Sequence, residues 1–239
     1  MAGDVLLSRY GGPVVGLGRK SSVTDPVSDA DRAAEEAIRE LLAAERPDDG
    51  LLAEEGSRAE TASGRRWIVD PLDGTVNFLY GFPAWCVSVA LQDDEGGAVG
   101  VVHDPLRDET FRASRGGGCS LDGSRVRVRQ CDDLSRALVA TGFGYERDRR
   151  VMQAEVVRRV LPSVRDIRRA GAAALDLSWL AAGRLDGYWE RGLSAWDWAA
   201  GRLLVEEARG VVAELPGEPY GLVAASPALL PALRELVAS

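Results

Sequence analysis

The chain has 239 residues, of which 46% are hydrophobic, and a formal net charge of -8 at pH 7. We expect one folded unit over residues 1–239, built from closely packed lobes at about 1–135 and 136–239. The negative charge argues against nucleic acid as the primary ligand, because binding its phosphates needs basic side chains. Three cysteines without metal-ligand spacing, no signal peptide and no long apolar span predict a cytoplasmic protein that does not bind membranes.

Helical and extended patterns alternate in the first half of the sequence. Residues 28–44 carry a strong helical pattern, with Ser28 as N-cap and Asp31 in the first turn, where acids complement the helix dipole. Strands are predicted near Leu51 and Trp67 and over residues 84–92, 98–103, 109–114 and 125–129. Glycine turns at 116–118 and 122–123 predict hairpins.

The second half continues the alternation. Helices are predicted over residues 151–161, 172–182, 199–208 and 227–237, and strands over 138–141, 187–190, 211–214 and 222–225. Strands bracketed by helices on both sides predict an α/β (α+β) layered sandwich with mixed, largely antiparallel sheets.

The segment around Asp70 is the most informative stretch of the chain. A short apolar strand that includes Trp67 is expected to end at Pro71, which has no N–H for a β-ladder. Asp70 and Asp73 can then turn toward one point, with the Leu72 carbonyl as a further oxygen. Three hard oxygens within four residues suit Mg²⁺.

A short helix is predicted next, from Gly74 and Thr75 through Phe78. The free N–H groups at a helix start attract phosphate, so one turn could hold both a metal ion and an anion. An ordinary Asp-Gly turn is the alternative, since Asp, Pro and Gly are all frequent in turns.

Two further segments carry carboxylates in informative positions. Glu54 and Glu55 are adjacent at the end of a predicted strand, and like charges repel unless a cation is near; a solvated acidic loop is the alternative. Asp197 lies between Trp196 and Trp198, and a sheltered carboxylate needs a partner or a metal ion. The alternative for Asp197 is the N-cap of the following helix.

Together these segments resemble the inositol monophosphatase family of Mg²⁺-dependent, lithium-sensitive sugar-phosphate phosphatases. The matching segments are, in chain order, Lys20-Ser21-Ser22 with Asp25 and Asp31, Glu54-Glu55, residues 67–78 and residues 196–201. At the N-terminus, residues 2–10 are similar to only the end of the family's first helix. The resemblance implies an αβαβα sandwich, similar to fructose-1,6-bisphosphatase, and a homodimer.

The resemblance also implies a metal-binding role for each matching carboxylate. Glu54, Asp70 and the Leu72 carbonyl would hold a first ion, while Asp70, Asp73 and Asp197 would hold a second. A third, weaker ion could lie near Glu54, and Mn²⁺ would fit the same oxygens. Two ions would clamp the attacking and leaving oxygens of an in-line displacement.

Catalytic and substrate-binding roles follow from the same resemblance. Thr75 and Asp31 would orient and deprotonate the attacking water, and Glu55 is a further catalytic candidate. Substrate contacts are expected from Asp73, Gly74, Thr75, Gly171, Ala172, Ala173, Glu190 and Asp197. The alternative for Glu190 is a surface ion pair with Arg191.

Two residues depart from the family pattern. Ala172 stands where members often have Ser or Thr, so one hydroxyl contact worth about 0.5–1.5 kcal/mol is missing. Gly144 stands where proline is common. The Arg-rich segments at 147–150 and 165–169 are interpreted as solvated faces, with phosphate steering as the alternative.

The sequence therefore predicts Mg²⁺-dependent hydrolysis of a small phosphorylated polyol, inositol 1-phosphate first. Lobe 1–135 is interpreted as the metal-binding and catalytic lobe and lobe 136–239 as the substrate lobe, with Asp197 of the second lobe completing the metal ligands. Histidinol phosphate, fructose 1,6-bisphosphate and 3'-phosphoadenosine 5'-phosphate remain alternatives, because the leaving group contacts less diagnostic loops. A metal-binding interaction protein without turnover is the alternative from another class.

Overall fold

The computed structural model describes residues 1–12, 18–19 and 26–238, so the predicted segment Lys20-Ser21-Ser22 and Asp25 lie outside the described residues. The helices are α1 (Ala2–Leu7), α2 (Asp29–Glu45), α3 (Thr75–Leu79), α4 (Arg147–Val160), α5 (Ala173–Ala181), α6 (Ala195–Glu207) and α7 (Leu230–Ala238). The strands are β1 (Gly18–Arg19), β2 (Pro26–Val27), β3 (Gly50–Ala53), β4 (Arg58–Ala59), β5 (Arg66–Asp73), β6 (Cys86–Asp93), β7 (Gly96–Asp104), β8 (Glu109–Ser114), β9 (Gly118–Leu121), β10 (Ser124–Arg125), β11 (Leu138–Thr141), β12 (Asp166–Arg168), β13 (Gly187–Arg191), β14 (Val211–Glu214) and β15 (Gly221–Ala225).

Two large sheets organise these strands. The first has eight strands in the order β10-β9-β8-β7-β6-β5-β3-β4, and all its neighbours are antiparallel except β3 and β5. The second has five strands in the order β12-β11-β13-β15-β14, parallel at its β12 end and antiparallel at its β14 end. β1 and β2 form a separate antiparallel pair. The prediction of mixed, largely antiparallel sheets is confirmed.

The helices lie on both faces of each sheet and between the two sheets. α1 and α2 cover the outer face of the eight-stranded sheet, α5 and α6 lie between the sheets, and α4 and α7 cover the outer face of the five-stranded sheet. A separate apolar cluster fills each interface. Representative members are Leu6, Ala34 and Trp85 in the first, Phe111, Leu175 and Tyr188 in the central one, and Val139, Trp189 and Leu233 in the third.

This arrangement confirms the predicted αβαβα sandwich. The division into lobes at residues 1–135 and 136–239 stays a prediction. Helix α6 follows residue 135 in the sequence and packs against β6 and β7, which is consistent with lobes that share a core.

Helix α2 begins where the sequence predicts. The Ser28 side chain accepts a hydrogen bond from the Ala30 N–H, and Asp31 Oδ2 accepts one from the Ser28 N–H at 2.8 Å. These contacts satisfy N–H groups that have no partner within the helix. Ala34 and Ile38 then face the sheet as buried residues.

Strand β5 continues through Pro71 to Asp73, so the prediction that it ends at Pro71 is wrong. Its register with β6 is regular up to the pair Asp70 and Ser88 and shifts before the pair Asp73 and Cys86. Pro71 lies within this irregular stretch, where its missing N–H interrupts no regular ladder. After this shift, the side chains of Asp70 and Asp73 line the same cavity at the end of β5.

The structure corrects two other boundaries. The strand expected over 125–129 is confined to β10, because the chain leaves the sheet and the Val128 N–H donates to the Ala208 carbonyl at 3.0 Å. Helix α6 begins at Ala195 rather than Ala199, and Ser194 is its N-cap, so Asp197 is not the cap. The sequence also missed β4 and β12, which have two and three residues and are too short to show an alternating pattern, and it missed β9, which follows directly on the glycine turn at 116–118.

Two expectations drawn from composition concern cysteines and membranes. All three cysteines are buried and none forms a disulfide. Among the described residues, no helix combines the length and apolarity that crossing a bilayer requires.

We expect Gly100→Ala to destabilise the fold by about 1–3 kcal/mol. A Cβ at Gly100 would lie 2.9 Å from the Ala200 carbonyl oxygen, so α6 could not keep its distance from β7. Gly97→Ala is the matched control on the same strand, since its Cβ would lie 3.6 Å from Leu203 Cδ1, an ordinary contact. Urea unfolding of both variants measures the difference, and equal stabilities would contradict this account.

Candidate active site

The ends of β3, β5, β11 and β13 and the starts of α3, α5 and α6 meet around a cavity of about 440 Å³. Ten predicted site residues line it: Glu54, Asp70, Leu72, Asp73, Gly74, Thr75, Gly171, Ala173, Glu190 and Asp197. A larger cavity of about 690 Å³ between α1, α2 and α3 contains none of the predicted residues. The smaller cavity is therefore the candidate active site.

Four carboxylates, from Glu54, Asp70, Asp73 and Asp197, share this cavity. Burial raises the pKa of Asp70 well above its ordinary value, and the charges of Glu54, Asp73 and Asp197 and a hydrogen bond with Glu54 raise it further. Burial raises the pKa of Asp73 to about 7. Burial also raises the pKa of Asp197 well above its ordinary value, followed by the charges of Asp73 and Glu54. Without a bound cation, the surroundings of these carboxylates therefore disfavour the state in which all of them are ionised.

This donor set fits divalent cations. Hard cations bind carboxylate and carbonyl oxygens, and their charge offsets both the desolvation and the mutual repulsion that raise these pKa values. In the described part of the chain, no three Asp, Glu, His or Cys side chains already form a compact metal-ligating cluster.

Backbone and thiol contacts hold Asp73 in place. The Ala174 N–H, in the first turn of α5, donates to Asp73 Oδ2 at 2.7 Å, and Cys86 Sγ lies 3.7 Å from the same oxygen. Asn77 of α3 links the segments before β6 and α5, because its Nδ2 donates to the Ala84 carbonyl at 2.6 Å and to the Ala170 carbonyl at 2.9 Å. The strand that carries Asp70 and Asp73 is thereby tied to the start of α5.

Gly74 allows the chain to turn from β5 into α3. Its φ of 98° lies in the left-handed region, and an added Cβ would lie 2.9 Å from the Ala84 carbonyl oxygen. Only glycine meets both conditions without strain. Thr75 consequently begins α3 directly beside the carboxylates, as the sequence predicts.

Thr75 and Asp31 form a buried hydrogen-bonded pair. Thr75 Oγ1 lies 2.9 Å from Asp31 Oδ1 and 3.2 Å from the Leu72 carbonyl oxygen. Asp31 is fully buried behind Thr75 and does not itself line the cavity. Since Asp31 Oδ2 also caps α2 through Ser28, one carboxylate serves both the helix and the threonine hydroxyl.

Glu190 lies at the end of β13 with Tyr188 beside it. Burial raises the pKa of Glu190 to about 7, although the Tyr188 hydroxyl, which donates to its Oε2 at 2.6 Å, lowers it. Arg191 donates instead to the carbonyls of Pro216 and Pro219. The alternative of a surface pair between Glu190 and Arg191 is therefore wrong.

Besides Asp31, two predicted residues do not line the cavity. Ala172 is 1% exposed and packs in the central apolar cluster, while its neighbours Gly171 and Ala173 line the cavity. The Glu55 N–H donates a hydrogen bond to Glu35 Oε2 at 2.7 Å, and Glu55 does not line the cavity. The catalytic role of Glu55 and the substrate contact of Ala172 stay predictions that this geometry does not favour.

The sequence did not single out several residues of the cavity wall as site residues. They include Gly142, Phe143, Gly144, Tyr145, Glu146, Arg149, Arg169, Gly192, Leu193 and Ser194. The Arg-rich segments were visible in the sequence, but no local pattern distinguishes an arginine that faces the cavity from one that faces solvent. A general rule that loops after neighbouring strands converge could have suggested residues 142–146.

We expect the chelator-treated protein to lose stability as the pH rises. The pKa values of Asp73 and Glu190 are about 7 in the folded chain, against ordinary values of 3.8 and 4.5. The folded state thus keeps protons that the unfolded chain releases between these values, and its stability falls over that window. Thermal unfolding at about pH 5 and about pH 8, with EDTA or MgCl₂, measures the effect.

The fall should be smaller with MgCl₂, because a bound cation compensates the ionised carboxylates. An equal fall under both conditions would show that these carboxylates do not bind the cation.

Comparisons with known proteins agree with this geometry. The model of the inositol monophosphatase family matches residues 1–239. An inositol-1-monophosphatase of Rhizobium meliloti is 47% identical over 221 residues, covering 89% of this chain and 83% of that protein. A protein of Pasteurella multocida named Nus factor SuhB is 43% identical over 198 residues, covering 82% of this chain and 74% of that protein.

A solved structure shows the same fold. The extragenic suppressor protein suhB of Bartonella henselae superposes with a TM-score of 0.93 at 38% identity, covering 99% of this chain and 93% of that one. The match to the family model over the whole chain, together with these relatives, is decisive. This chain belongs to the inositol monophosphatase family, whose members are phosphatases that hydrolyse phosphomonoesters.

Proposed function

We propose that this chain hydrolyses a small polyol phosphomonoester, inositol 1-phosphate first, in a Mg²⁺-dependent reaction. The observation that carries the proposal is the convergence of four carboxylates with the Thr75 hydroxyl on one cavity. The relative named inositol-1-monophosphatase, at 47% identity, supports the choice of substrate. Family members are generally metal-dependent, and the ion and its number in this chain are part of the proposal.

The residues divide into ligand sets. Glu54, Asp70 and the Leu72 carbonyl would hold one Mg²⁺, and Asp70, Asp73 and Asp197 a second, with room for a weaker third near Glu54. When bound, the cations would neutralise charge on the phosphoryl group and favour ionisation of the attacking water. Mn²⁺ would suit the same oxygens.

The other residues orient the reactants. Thr75 Oγ1 would accept a hydrogen bond from the water and pass its own proton to Asp31 Oδ1, which lies 2.9 Å away. The water would then attack phosphorus in line with the departing alkoxide. Backbone N–H groups of Gly74 and Thr75 would bind phosphate oxygens.

Glu190 would accept hydrogen bonds from substrate hydroxyls. It lines the cavity, and the Tyr188 hydroxyl fixes its carboxylate at 2.6 Å. A carboxylate acceptor suits a polyol, since each hydroxyl can donate to it. The homodimer that the family resemblance implies, and the cytoplasmic location that the cysteines and the lack of a signal peptide predict, are proposed with this function.

Phosphate release from a substrate panel tests the proposal. The panel contains inositol 1-phosphate, histidinol phosphate, fructose 1,6-bisphosphate and 3'-phosphoadenosine 5'-phosphate, each with Mg²⁺, with EDTA and with added lithium. We expect Mg²⁺-dependent, lithium-suppressed release, fastest from inositol 1-phosphate. Faster phosphate release from another compound of the panel would identify that compound as the preferred substrate. Phosphate release in the presence of EDTA would overturn the proposed metal dependence.

A second candidate is a metal-binding interaction protein without turnover. The relative named Nus factor SuhB, at 43% identity, favours keeping this candidate. The intact set of Asp31, Asp70, Asp73 and Thr75 argues for turnover. Folded, Mg²⁺-binding protein that releases no phosphate from any substrate would support the second candidate instead.

A further inference from the structure

Two arginines line the same cavity as the carboxylates. Arg149 lies in the first turn of α4, and Arg169 follows β12. One comes from each of the two Arg-rich segments that the sequence suggested were solvated faces. The fold therefore brings two guanidinium groups to a cavity whose function, as proposed above, is to bind a phosphate through metal ions.

Arg149 occupies a slot that two glycines leave open. A Cβ at Gly144 would lie 2.5 Å from Arg149 Cδ, and a Cβ at Gly192 would lie 2.6 Å from its Nη1. Only 29% of the side chain is exposed, and its ion pair with Glu146 is long, at 3.8 Å, with a mostly exposed partner. Gly144 and Gly192 thus leave the space that the Arg149 side chain occupies.

Arg169 is held differently. Its guanidinium lies over the Phe143 ring, 5.7 Å from the centroid, and a Cβ at Gly171 would collide with its Nη1. In residues 1–12, 18–19 and 26–238, no carboxylate lies within ion-pair distance of Arg169. The stacked guanidinium keeps its hydrogen-bond donors for another acceptor.

The two arginines are held by contacts with residues other than the proposed metal ligands, because Arg149 lies against Gly144 and Gly192 and Arg169 lies against Phe143 and Gly171. The charge of Arg169 acts on Glu190, the proposed contact of the substrate hydroxyls, and lowers its pKa. The carboxylates, Glu190 and both arginines line the same cavity, so a substrate whose hydrolysed phosphate lies at the carboxylates would have the arginines available for a second anionic group.

We propose that Arg149 and Arg169 form a subsite for a second anionic group of the substrate. This inference rests on the proposed phosphatase function and adds a second class of substrate to inositol 1-phosphate, namely polyol phosphates that carry a further phosphate or carboxylate away from the phosphate that is hydrolysed. Arginine binds either group through paired hydrogen bonds. Electrostatic steering is the competing explanation. It would also favour the more highly charged substrate, but its effect falls steeply as ionic strength rises, whereas a preference that comes from paired hydrogen bonds persists at high salt, so the substrate comparison is made at both low and high salt.

Matched substrate pairs test the subsite. The kcat/KM of the Mg²⁺-loaded protein is compared for fructose 1,6-bisphosphate against fructose 1-phosphate, and for 6-phosphogluconate against glucose 6-phosphate. We expect the substrate with the second anion to be preferred by about tenfold or more in at least one pair. The pair that shows the preference identifies the second group as phosphate or carboxylate.

Variants assign the preference to the arginines. The double variant Arg149→Gln and Arg169→Gln should reduce the ratio within the preferred pair to near one, and Gly144→Ala should lower it by displacing Arg149. Arg150→Gln, at an exposed neighbour on α4 outside the cavity, is the matched control and should leave the ratio unchanged. A wild-type ratio near one in both pairs, or equal losses for both members of a pair, would overturn the subsite.

Failure of the proposed function is distinguishable from failure of the subsite. If no substrate is hydrolysed, calorimetric titration of the Mg²⁺-loaded protein with both members of each pair measures the subsite by itself. Tighter binding of the doubly anionic member, lost in the double variant, would support the subsite without turnover. Equal affinities would overturn it.

Discussion

Asp70→Asn is expected to lower kcat/KM for phosphomonoester hydrolysis by ~10³-fold or more, because the proposed site would lose the carboxylate that bridges two cations. The same substitution should raise the thermal stability of the chelator-treated protein. Asp70 is 2% exposed and lies among Glu54, Asp73 and Asp197, so its charge opposes folding when no cation is bound. Phosphate release and thermal unfolding in EDTA measure the two effects.

Asp186→Asn is the matched control for a buried aspartate outside the site. Asp186 is fully buried, and it accepts hydrogen bonds from Arg129 at 2.9 Å and from the Leu138 N–H at 2.8 Å. Losing this network should reduce stability by about 1–3 kcal/mol without a comparable loss of turnover. Near-normal activity of Asp70→Asn would overturn the metal assignment, and reduced stability in EDTA would indicate a structural role for Asp70.

Thr75→Ala is expected to lower kcat by roughly 10²–10⁴-fold with little change in KM. The hydroxyl lies 2.9 Å from Asp31 Oδ1 and would orient the attacking water, whereas the cations and substrate contacts remain. Thr75→Ser keeps the hydroxyl and should restore most of the rate. Steady-state kinetics of both variants, with inositol 1-phosphate as substrate, make the measurement.

Asp31→Asn tests whether the two side chains act as a unit. Its rate loss should resemble that of Thr75→Ala, and combining both substitutions should add little. Asp31→Asn should also destabilise α2, because Asp31 Oδ2 accepts the Ser28 N–H. A normal kcat in Thr75→Ala, or fully additive losses, would show that the pair does not act on the water.

Much of the fold follows from local patterns. The strands Glu109–Ser114, Leu138–Thr141 and Val211–Glu214 have the predicted bounds, and Ser28 caps α2 as predicted. Such elements are specified by signals within a few residues, such as alternating burial, a capping side chain or a glycine turn. The sequence missed or misplaced elements whose limits depend on distant partners, including β10, which ends where the Val128 N–H meets the end of α6.

The residues of the candidate site likewise fall into those whose location the sequence predicts and those whose location depends on tertiary packing. Asp70, Leu72, Asp73 and Thr75 are close along one strand and one turn, so sequence spacing alone predicts that they share a location, and the family resemblance adds Glu54, Glu190 and Asp197. The structure brings all seven to one cavity. It leaves Ala172 in the core, although its two neighbours line the cavity, because the direction of a side chain depends on how α5 packs between the sheets.

The sequence by itself predicted mixed, largely antiparallel sheets bracketed by helices, and it predicted that Asp70, Asp73 and Thr75 share one location, since these signals lie within a few residues. The αβαβα layering was implied by the family resemblance. Only the tertiary structure decided which arginines face the cavity and what they contact. Arg149 is half-buried in the space at Gly144 and Gly192, whereas its neighbours Arg147 and Arg150 are exposed. Arg169 is exposed like Arg168, but its guanidinium lies over the Phe143 ring at the cavity wall. Contacts between segments far apart in the chain leave no periodic signal in the sequence, because packing rather than local propensity selects them.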